Sequence, residues 1–357
     1  MDPLELNTVV LSPDRKTLEI LDQTLLPREV RILRLDRMED VYEAIQKLRV
    51  RGAPAIGVCA GYAMALAADQ CPAATAEELL ASLRKTGDYL ISSRPTAVNL
   101  SWAVERMLHV AGEKRALPLP ELREILFAEA EAIRQEDIAI SRSIGEIGFS
   151  LLRPGCGILT HCNAGTLATA KYGTATAPVY TALARGWRDL RVYCDETRPL
   201  LQGARLTALE MCAAGVDTTL LCDNAASSLM ASGKIDLIFV GCDRVARNGD
   251  AANKIGTSAV AILAKHYGIP FYVCAPSSTI DMSLASGKEI PIEQRSGEEV
   301  TEMWYKERMA PEGVGVYNPA FDVTDHSLIT GIITEKGLCS APYEEAFRGV
   351  GIGEGQR

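Results

Sequence analysis

The chain of 357 residues carries 37 basic and 46 acidic side chains, which gives a formal net charge of −9. Because that charge repels a phosphate backbone, nucleic acid is not expected as a partner. The apolar runs are of strand length and fall far short of the roughly 20 residues that a membrane helix needs, so no membrane role is expected.

The ten cysteines would form a set of disulfides only in a secreted protein. Residues 1–5 have neither the basic region nor the apolar core of a signal peptide. We therefore expect reduced thiols and a cytoplasmic protein. Neither a CxxC spacing nor a cluster of Cys and His is present, so no metal is expected. The sequence also lacks a P-loop and a dinucleotide fingerprint, so no nucleotide cofactor is expected.

The first predicted elements are short strands. Residues 7–35 contain three alternating segments separated by polar turns, a pattern typical of a small antiparallel sheet. A proline-containing segment over 116–120 indicates a domain boundary, so an N-terminal domain of strands and helices is predicted over 1–120. Stretches with helical spacing lie at 38–48, in the alanine-rich run that ends at Ala68, at 76–91 and at 99–110.

The second predicted domain covers residues 121–357. Periodicity over 121–152 predicts a connecting helix. Short apolar segments then alternate with helical stretches, which predicts βαβ units and an α/β domain with a parallel sheet. The apolar run 327–333 predicts one further strand, at an edge or as a sixth member. The five apolar segments end at Cys162, Cys194, Cys222, Cys242 and Cys274.

Two residues that follow predicted strands are candidates for chemistry, since ligands bind at the carboxyl ends of parallel strands. Cys162 precedes a glycine-bearing loop at a predicted helix start, where backbone N–H groups favour an anion such as a thiolate. Simple packing is the alternative for this small side chain. Asp243 ends an apolar strand, and a partly desolvated carboxyl suits a general acid or base. The alternative is that Asp243 only forms an ion pair with Arg244 or Arg247.

Basic and amide side chains on loops are candidates for binding an anion. Arg51 and Arg94 each place a guanidinium on a loop at a predicted helix start, where its fork of donors matches a phosphate. A solvated surface charge is the alternative for either one. The segment 248–257 is predicted to be a loop followed by a helix, and it brings Asn253 and Lys254 side by side to hold an oxyanion or a hydroxyl.

Five long motifs occur in order along nearly the whole chain. They are RGAPAIG at 51–57, SRPTAVNL at 93–100, THCNAG at 160–165, DETRPLLQGARLT at 195–207 and GCDRVARNGD at 241–250. Together they closely resemble the methylthioribose-1-phosphate isomerase family. That family is similar to the α, β and δ regulatory subunits of the translation initiation factor that exchanges guanine nucleotide, which share the fold without the isomerase chemistry. One departure is Asp325, where the family is expected to have proline.

The resemblance implies a fold and a set of site residues. The fold is a small N-terminal domain of antiparallel strands and helices joined to a Rossmann-like C-terminal domain, usually as a homodimer without cofactor or metal. Cys162 is implied as the catalytic thiol and Asp243 as the acid or base. The residues implied to hold the substrate are Arg51, Gly52, Ala53, Arg94, Gln202, Asn253 and Lys254.

The resemblance also implies an activity on a small phosphorylated sugar. The reaction is the conversion of 5-methylthioribose 1-phosphate to 5-methylthioribulose 1-phosphate in methionine salvage. A first alternative is a paralogous isomerase that acts on 5-deoxyribose 1-phosphate or ribose 1,5-bisphosphate, and the sequence does not identify the side chains around C5 that decide between them. A second alternative is a non-catalytic regulatory protein of the same fold, which need not keep Cys162 and Asp243 together.

Overall fold

Two compact units make up the described part of the chain, which comprises residue 5 and residues 7–353 of a computed structural model. The first unit contains the described residues up to Ser141 together with Gly165–Gly173. The second unit contains Arg142–Ala164 and the described residues from Thr174 onward. The chain thus passes from the second unit to the first between Ala164 and Gly165.

One long helix, α5 (Leu119–Phe149), contains the division between the units. The division falls at Ser141 and Arg142, whereas the sequence analysis places a domain boundary at residue 120. The first turns of α5 belong to the first unit because their apolar face lies in that unit's hydrophobic core. The buried residues of this face are Leu122, Leu126, Phe127, Ala130 and Ile133.

The first unit has a three-stranded antiparallel sheet, which confirms the predicted one. Its strands are β1 (Val9–Leu11), β2 (Leu18–Leu21) and β3 (Ile32–Leu35), in that spatial order. Four predicted helices are also present: α1 (Met38–Gln46), α2 (Ala53–Gln70), α3 (Ala76–Ser93) and α4 (Val98–Glu113). Helix α2 is apolar on all sides and is buried over most of its length, as expected for a central helix.

The second unit contains the larger sheet. Its strands are β4 (Gly157–Thr160), β5 (Arg191–Asp195), β6 (Asp217–Leu221), β7 (Leu237–Val240), β8 (Arg244–Ala246), β9 (Ala251–Lys254), β10 (Phe271–Cys274), β11 (Ile280–Asp281), β12 (Phe321–Thr324), β13 (Gly331–Thr334) and β14 (Gly337–Cys339). Its helices are α6 (Ala177–Ala184), α7 (Ala208–Ala213), α8 (Ala226–Ala231), α9 (Thr257–Tyr267), α10 (Glu298–Thr301) and α11 (Tyr343–Gly349).

Seven of these strands form one sheet in the order β14-β13-β10-β7-β4-β5-β6. Its neighbouring strands are parallel, except that β14 pairs antiparallel with β13 at one edge. The predicted α/β fold with a parallel sheet is therefore confirmed. From β4 the chain builds outward through β5 and β6, then returns to place β7 on the other side of β4. The sheet consequently has a topological switch point between β4 and β7, where open α/β sheets bind their ligands.

A second sheet of this unit, in the order β11-β8-β9-β12, is absent from the sequence prediction. Strand β9 pairs antiparallel with both β8 and β12, so the prediction of a loop over the whole of 248–257 is wrong for Ala251–Lys254. Alanine, asparagine and lysine have low strand propensity, and here two neighbouring strands impose the extended conformation. The predicted helix after this segment is confirmed as α9.

Two further expectations concern the whole described chain. The ten cysteines all lie within it, and none of them forms a disulfide. Within residues 5 and 7–353, each helix is either too short or too polar to span a bilayer.

Candidate active site

Cys162 and Asp243 follow the two strands at the switch point. Cys162 lies two residues after β4, and Asp243 lies three residues after β7, the strand hydrogen-bonded to β4. The loops that carry them touch, because a Cβ atom added to Gly241 would lie 2.5 Å from the Cβ of Ala164. Only glycine fits at such a close approach. The fold thus brings the two predicted catalytic residues to the same edge of the sheet.

The backbone of Cys162 has an unusual conformation. Its φ is 65°, in the left-handed region that residues other than glycine seldom adopt. The N–H of Cys162 donates to Oγ1 of Thr197 at 2.9 Å, and Oγ1 of Thr207 donates to the carbonyl of Cys162 at 2.6 Å. Unfavourable backbone conformations persist where surrounding contacts determine them, and they are concentrated at functional sites.

The helix predicted directly after Cys162 is not formed. Thr166–Ala168 make a single 3-10 turn, and α6 begins only at Ala177. The intervening chain turns at Tyr172 and Gly173, which both have positive φ and interrupt helical geometry. The prediction that an α-helix N-terminus stabilises the thiolate of Cys162 is therefore wrong.

Asp243 lies where the two sheets of the second unit meet. Its N–H donates to the carbonyl of Ala252 on β9 at 3.0 Å. The backbone of Asp243 is thereby fixed beside the strand that carries Asn253 and Lys254. The arginines considered as its ion-pair partners form pairs with other carboxylates: Arg244 with Asp281 and Arg247 with Glu344, each at 3.6 Å.

Asn253 and Lys254 are both buried on β9. The amide of Asn253 donates to Oγ1 of Thr257 at 3.1 Å. The ammonium of Lys254 donates to the carbonyl of Ala320 at 2.9 Å and lies 4.6 Å from the ring centre of Phe321. The positive charge is thus held out of bulk water. Charges interact more strongly in the protein interior than in water, because the effective dielectric constant is lower there. A buried ammonium of this kind suits an anionic ligand.

Gln202 begins a π-helical turn, Gly203–Thr207, that leads into α7. Its side chain is buried, and its Oε1 accepts no hydrogen bond from the part of the chain that the structure describes. A Cβ atom on Gly203 would overlap the carbonyl of Asp195, so this turn packs directly on the end of β5. Because a buried acceptor left without a donor is unfavourable, Gln202 suits a donor from a ligand, such as a sugar hydroxyl.

The sequence analysis missed a buried pair of side chains, formed by His161, the residue before Cys162, and Asp195. Nδ1 of His161 lies 3.0 Å from Oδ2 of Asp195, and its Nε2 lies 2.8 Å from the carbonyl of Ile255. A carbonyl only accepts, so Nε2 carries a proton and the second proton lies between the imidazole and the carboxylate. Burial opposes the charge on His161, but the hydrogen bond and charge of Asp195 outweigh burial and raise the pKa of His161. Burial raises the pKa of Asp195.

This pair joins three parts of the site. His161 follows β4, Asp195 ends β5, and Ile255 follows directly on β9. The carboxylate of Asp223 lies near enough for a shared metal ion, but its two oxygens accept the N–H groups of Thr197 and Arg198 at 2.7 and 2.8 Å. The cluster is thus a network of internal hydrogen bonds. Polar residues at the ends of adjacent strands were its only sequence signal.

Arg51, Gly52, Ala53 and Arg94 belong to the first unit. Arg51 is buried and immediately precedes α2, whose N-cap is Gly52 and whose first residue is Ala53. The alternative of a solvated surface charge is therefore wrong for Arg51. Arg94 is half-buried, caps the C-terminal end of α3 and stands four residues before α4.

The first turns of α2 and α4 pack against each other. A Cβ atom on Gly57 would lie 3.2 Å from the carbonyl of Asn99. Each of these helices is preceded by one of the two candidate arginines. Helix N-termini and guanidinium groups both favour a phosphate, so the first unit has features of an anion-binding surface.

The segment Gly165–Gly173 is anchored within the first unit. A Cβ atom on Gly52, where φ is 88°, would lie 2.5 Å from the Cα of Ala168. Gln23 donates to the carbonyl of Leu167 at 2.7 Å, and Asp137 accepts the N–H of Ala170 at 2.6 Å. Gly52 thus supports the segment that follows the Cys162 loop in sequence.

Comparisons with known proteins place this geometry in context. Residues 49–341 match the model of the "Initiation factor 2 subunit family". A methylthioribose-1-phosphate isomerase of Symbiobacterium thermophilum is 59% identical over 97% of this chain and 96% of its own length. A 5-deoxyribose 1-phosphate isomerase of Bacillus cereus is 54% identical over 93% of this chain and 95% of its own length. The crystal structure of the 5-methylthioribose 1-phosphate isomerase of Pyrococcus horikoshii OT3 is similar with a TM-score of 0.90 and 44% identity, covering 98% of this chain and 96% of that one.

Proposed function

The chain belongs to the initiation factor 2 subunit family, and we propose that it is an aldose–ketose isomerase like the sugar 1-phosphate isomerases to which it is similar. Its substrate is 5-methylthioribose 1-phosphate and its product is 5-methylthioribulose 1-phosphate. The reaction belongs to methionine salvage and takes place in the cytoplasm.

The observation that carries this proposal is the placement of Cys162 and Asp243. They follow the two strands that flank the switch point, and their loops are in contact at Gly241 and Ala164. A non-catalytic protein of the same fold needs the sheet but has no use for a thiol and a carboxyl at this point. The placement therefore favours the isomerase over a regulatory protein.

The mechanism begins with ring opening. In an aldose 1-phosphate the anomeric oxygen is esterified, so the ring does not open without assistance. Asp243 acts as a general acid that protonates the ring oxygen, and its carboxylate then serves as a base. The hydrogen at C2 moves to C1 while the hydroxyl oxygen at C2 becomes the ketone oxygen. Cys162 acts at C1 and C2, where it stabilises charge or takes part in the transfer.

The remaining candidate residues bind the substrate. Arg51 and Arg94 bind the phosphate, with Gly52 and Ala53 at the start of α2 supplying backbone contacts. Gln202 and Asn253 bind hydroxyl groups, and Lys254 stabilises the negative charge that develops during transfer.

The second candidate substrate is 5-deoxyribose 1-phosphate, for which the Bacillus cereus relative is named. That sugar differs from 5-methylthioribose 1-phosphate only in lacking the methylthio group at C5. An apolar C5 subsite accepts both, whereas ribose 1,5-bisphosphate needs a further cationic side chain there. The relative named for the methylthio sugar is 59% identical to this chain and the relative named for the deoxy sugar is 54% identical, so we rank the methylthio sugar first and the deoxy sugar second.

The test is to assay the purified protein against all three sugar phosphates and to measure ketose formation. We expect kcat/KM to be highest for 5-methylthioribose 1-phosphate. Replacing Cys162→Ser or Asp243→Asn is expected to lower kcat by orders of magnitude with folding intact. The controls Cys212→Ser and Asp217→Asn change an exposed thiol and an exposed carboxylate of the same unit. Near-normal kcat in either site variant would remove that residue from the mechanism.

The route of hydrogen transfer is tested in deuterium oxide. If a base carries the hydrogen as a proton, solvent deuterium enters C1 of the ketose. Full retention of a C2 deuterium label in ordinary water would contradict proton transfer and would favour a hydride shift.

We propose further that the protein forms a homodimer. Edge strand β6 has a free sheet edge among the described residues and carries Leu220, which is 51% exposed. The segment 302–317 adds exposed Met303, Met309 and Tyr317. We propose that these side chains take part in the dimer contact, since an apolar patch on a protein surface marks an interaction site. Light scattering at micromolar concentration is expected to give twice the chain mass, and the mass of a single chain would contradict the proposal.

A further inference from the structure

Two threonine hydroxyls form hydrogen bonds with the backbone N–H and the backbone carbonyl of Cys162. Strand β4 ends at Thr160, so Cys162 lies beyond the sheet ladder. Its N–H donates to the hydroxyl of Thr197 at 2.9 Å, and its carbonyl accepts from the hydroxyl of Thr207 at 2.6 Å. The two hydroxyls therefore lie on either side of the residue whose φ is 65°.

The direction of each of these hydrogen bonds is fixed by chemistry. An N–H only donates, so Thr197 Oγ1 accepts from Cys162, and its own proton goes to the carbonyl of Asp195 at 3.0 Å. A carbonyl only accepts, so Thr207 Oγ1 donates to Cys162, and its lone pair accepts the amide of Asn163 at 3.1 Å. Each hydroxyl thus acts as donor and acceptor at once, which a methyl group of the same size does not reproduce.

Both threonines are themselves held in place by other buried groups. Thr197 is fully buried, and its N–H donates to Asp223 at 2.7 Å. The amide of Asn163, which bonds Thr207, also donates to the buried carboxylate of Glu210 at 2.9 Å. Through these hydrogen bonds the two hydroxyls link the Cys162 peptide to β5 and to the turn before α7.

Thr197 shares the unusual backbone conformation of Cys162. Its φ is 66°, and a β-branched residue in the left-handed region is a clear outlier. The surrounding bonds hold both residues away from their preferred conformations. Loss of either hydroxyl removes one of the bonds that oppose relaxation of Cys162.

We propose that Thr197 and Thr207 are positioning residues, whose hydroxyls hold Cys162 in its left-handed conformation and so direct its thiol toward the substrate. This inference rests on the proposed function and deepens it. It concerns the orientation of the thiol, so it predicts an effect on the chemical step and a smaller one on substrate binding.

The test uses two substitutions at each position. Thr197→Val and Thr207→Val remove the hydroxyl and keep the branched shape, whereas Thr197→Ser and Thr207→Ser keep the hydroxyl. Thr218→Val is the matched control, because Thr218 lies on edge strand β6 and its hydroxyl donates to the carbonyl of Val216, the residue before that strand. We measure kcat and KM for the sugar phosphate, together with the rate at which iodoacetamide alkylates Cys162, followed by peptide mass spectrometry with exposed Cys212 as internal reference.

The valine variants are expected to lower kcat about 10- to 100-fold, since small misplacements of a reacting group have effects of this size. KM should stay within about threefold of the wild-type value, as expected when an interaction acts mainly in the transition state. The alkylation rate of Cys162 relative to Cys212 should change in the same variants. The serine variants should recover most of kcat and the alkylation rate, and Thr218→Val should match the wild type.

Several outcomes would overturn the inference. Valine variants with wild-type kcat and alkylation would show that the hydroxyls do not position Cys162. Serine variants as impaired as the valine variants would assign the effect to the methyl group and to packing. If Thr197→Val does not fold, Thr207→Val and the two serine variants decide the question. The alkylation contrast needs no turnover, so it tests the positioning even if the wild type isomerises none of the three sugars.

Discussion

Asp137 on α5 provides a test of the first unit's structure through its pH dependence. Its side chain is 8% exposed, and burial raises its pKa from the usual 3.8 to about 7. The N–H of Ala170, which donates to this carboxylate, and the charge of Arg134 lower the pKa but do not outweigh burial. The perturbation is Asp137→Asn, which removes the ionisable group and keeps an oxygen that can accept from Ala170.

The sign and size of the effect follow from linkage between protonation and folding. Because the folded-state pKa is raised, Asp137 contributes stability that is fully present below about pH 4 and is lost as the pH rises through about 7. The folded-state and unfolded-state pKa values differ by about 3, and one pKa unit is worth about 1.36 kcal/mol. The difference therefore corresponds to about 4 kcal/mol of stability. The asparagine variant has no such dependence.

The assay is denaturant unfolding of both proteins at about pH 4, 6 and 8. Trp102 lies in the first unit, so a background of Trp187→Phe and Trp304→Phe makes it the only tryptophan and reports that unit. The free energy of unfolding of the wild type, relative to Asp137→Asn, is expected to fall by about 4 kcal/mol from pH 4 to pH 8.

The matched control for this prediction is Asp88→Asn, which removes an exposed carboxylate of the same unit. A difference between wild type and Asp137→Asn that stays constant across the pH range would refute the reasoning. It would mean that the carboxylate of Asp137 is solvated in the folded protein and that the anchoring of Gly165–Gly173 differs from that described.

Three substitutions in the second unit give further predictions. Gly241→Ala should lower kcat about tenfold or more, because its methyl group would displace the loop at Ala164. The control is Gly112→Ala, because no atom lies within 4 Å of the added carbon. Equal activity of the two variants would contradict the close contact between Gly241 and Ala164. Gln202→Leu should raise KM about tenfold with an unchanged or higher melting temperature, since it removes a buried acceptor. Lower stability with unchanged KM would show that the amide of Gln202 stabilises the fold and does not bind the substrate. Lys254→Met should lower kcat/KM about 10- to 100-fold through loss of its buried charge, as kinetics at saturating and limiting substrate would reveal.

Much of the fold is predictable from local pattern. The helices of the first unit follow from apolar spacing, and strands β4, β5, β7 and β10 follow from short apolar runs. These signals are local because burial of a strand or helix face requires a regular pattern of apolar side chains. Strand β9 could not be predicted in this way, since its alanine, asparagine and lysine side chains form a strand only between β8 and β12.

The sequence predicts a set of candidate site residues, but not how the fold arranges them. The sequence predicts that Cys162 and Asp243 follow strands, yet the order of strands that makes β4 and β7 neighbours is not contained in any local pattern. The bonds from Thr197 and Thr207 to Cys162 join positions 35 and 45 residues away. Such contacts depend on strand order and on turns of positive φ, which side-chain periodicity does not determine.

The most direct measurement is a crystal structure of the Cys162→Ala protein with 5-methylthioribose 1-phosphate bound. The account predicts that C1 and C2 of the sugar lie at the carboxyl ends of β4 and β7. The carboxylate of Asp243 should lie within about 3.5 Å of the ring oxygen or C2, with residue 162 on the neighbouring side. A sugar bound away from this edge of the sheet, or an Asp243 carboxylate directed away from it, would contradict the account.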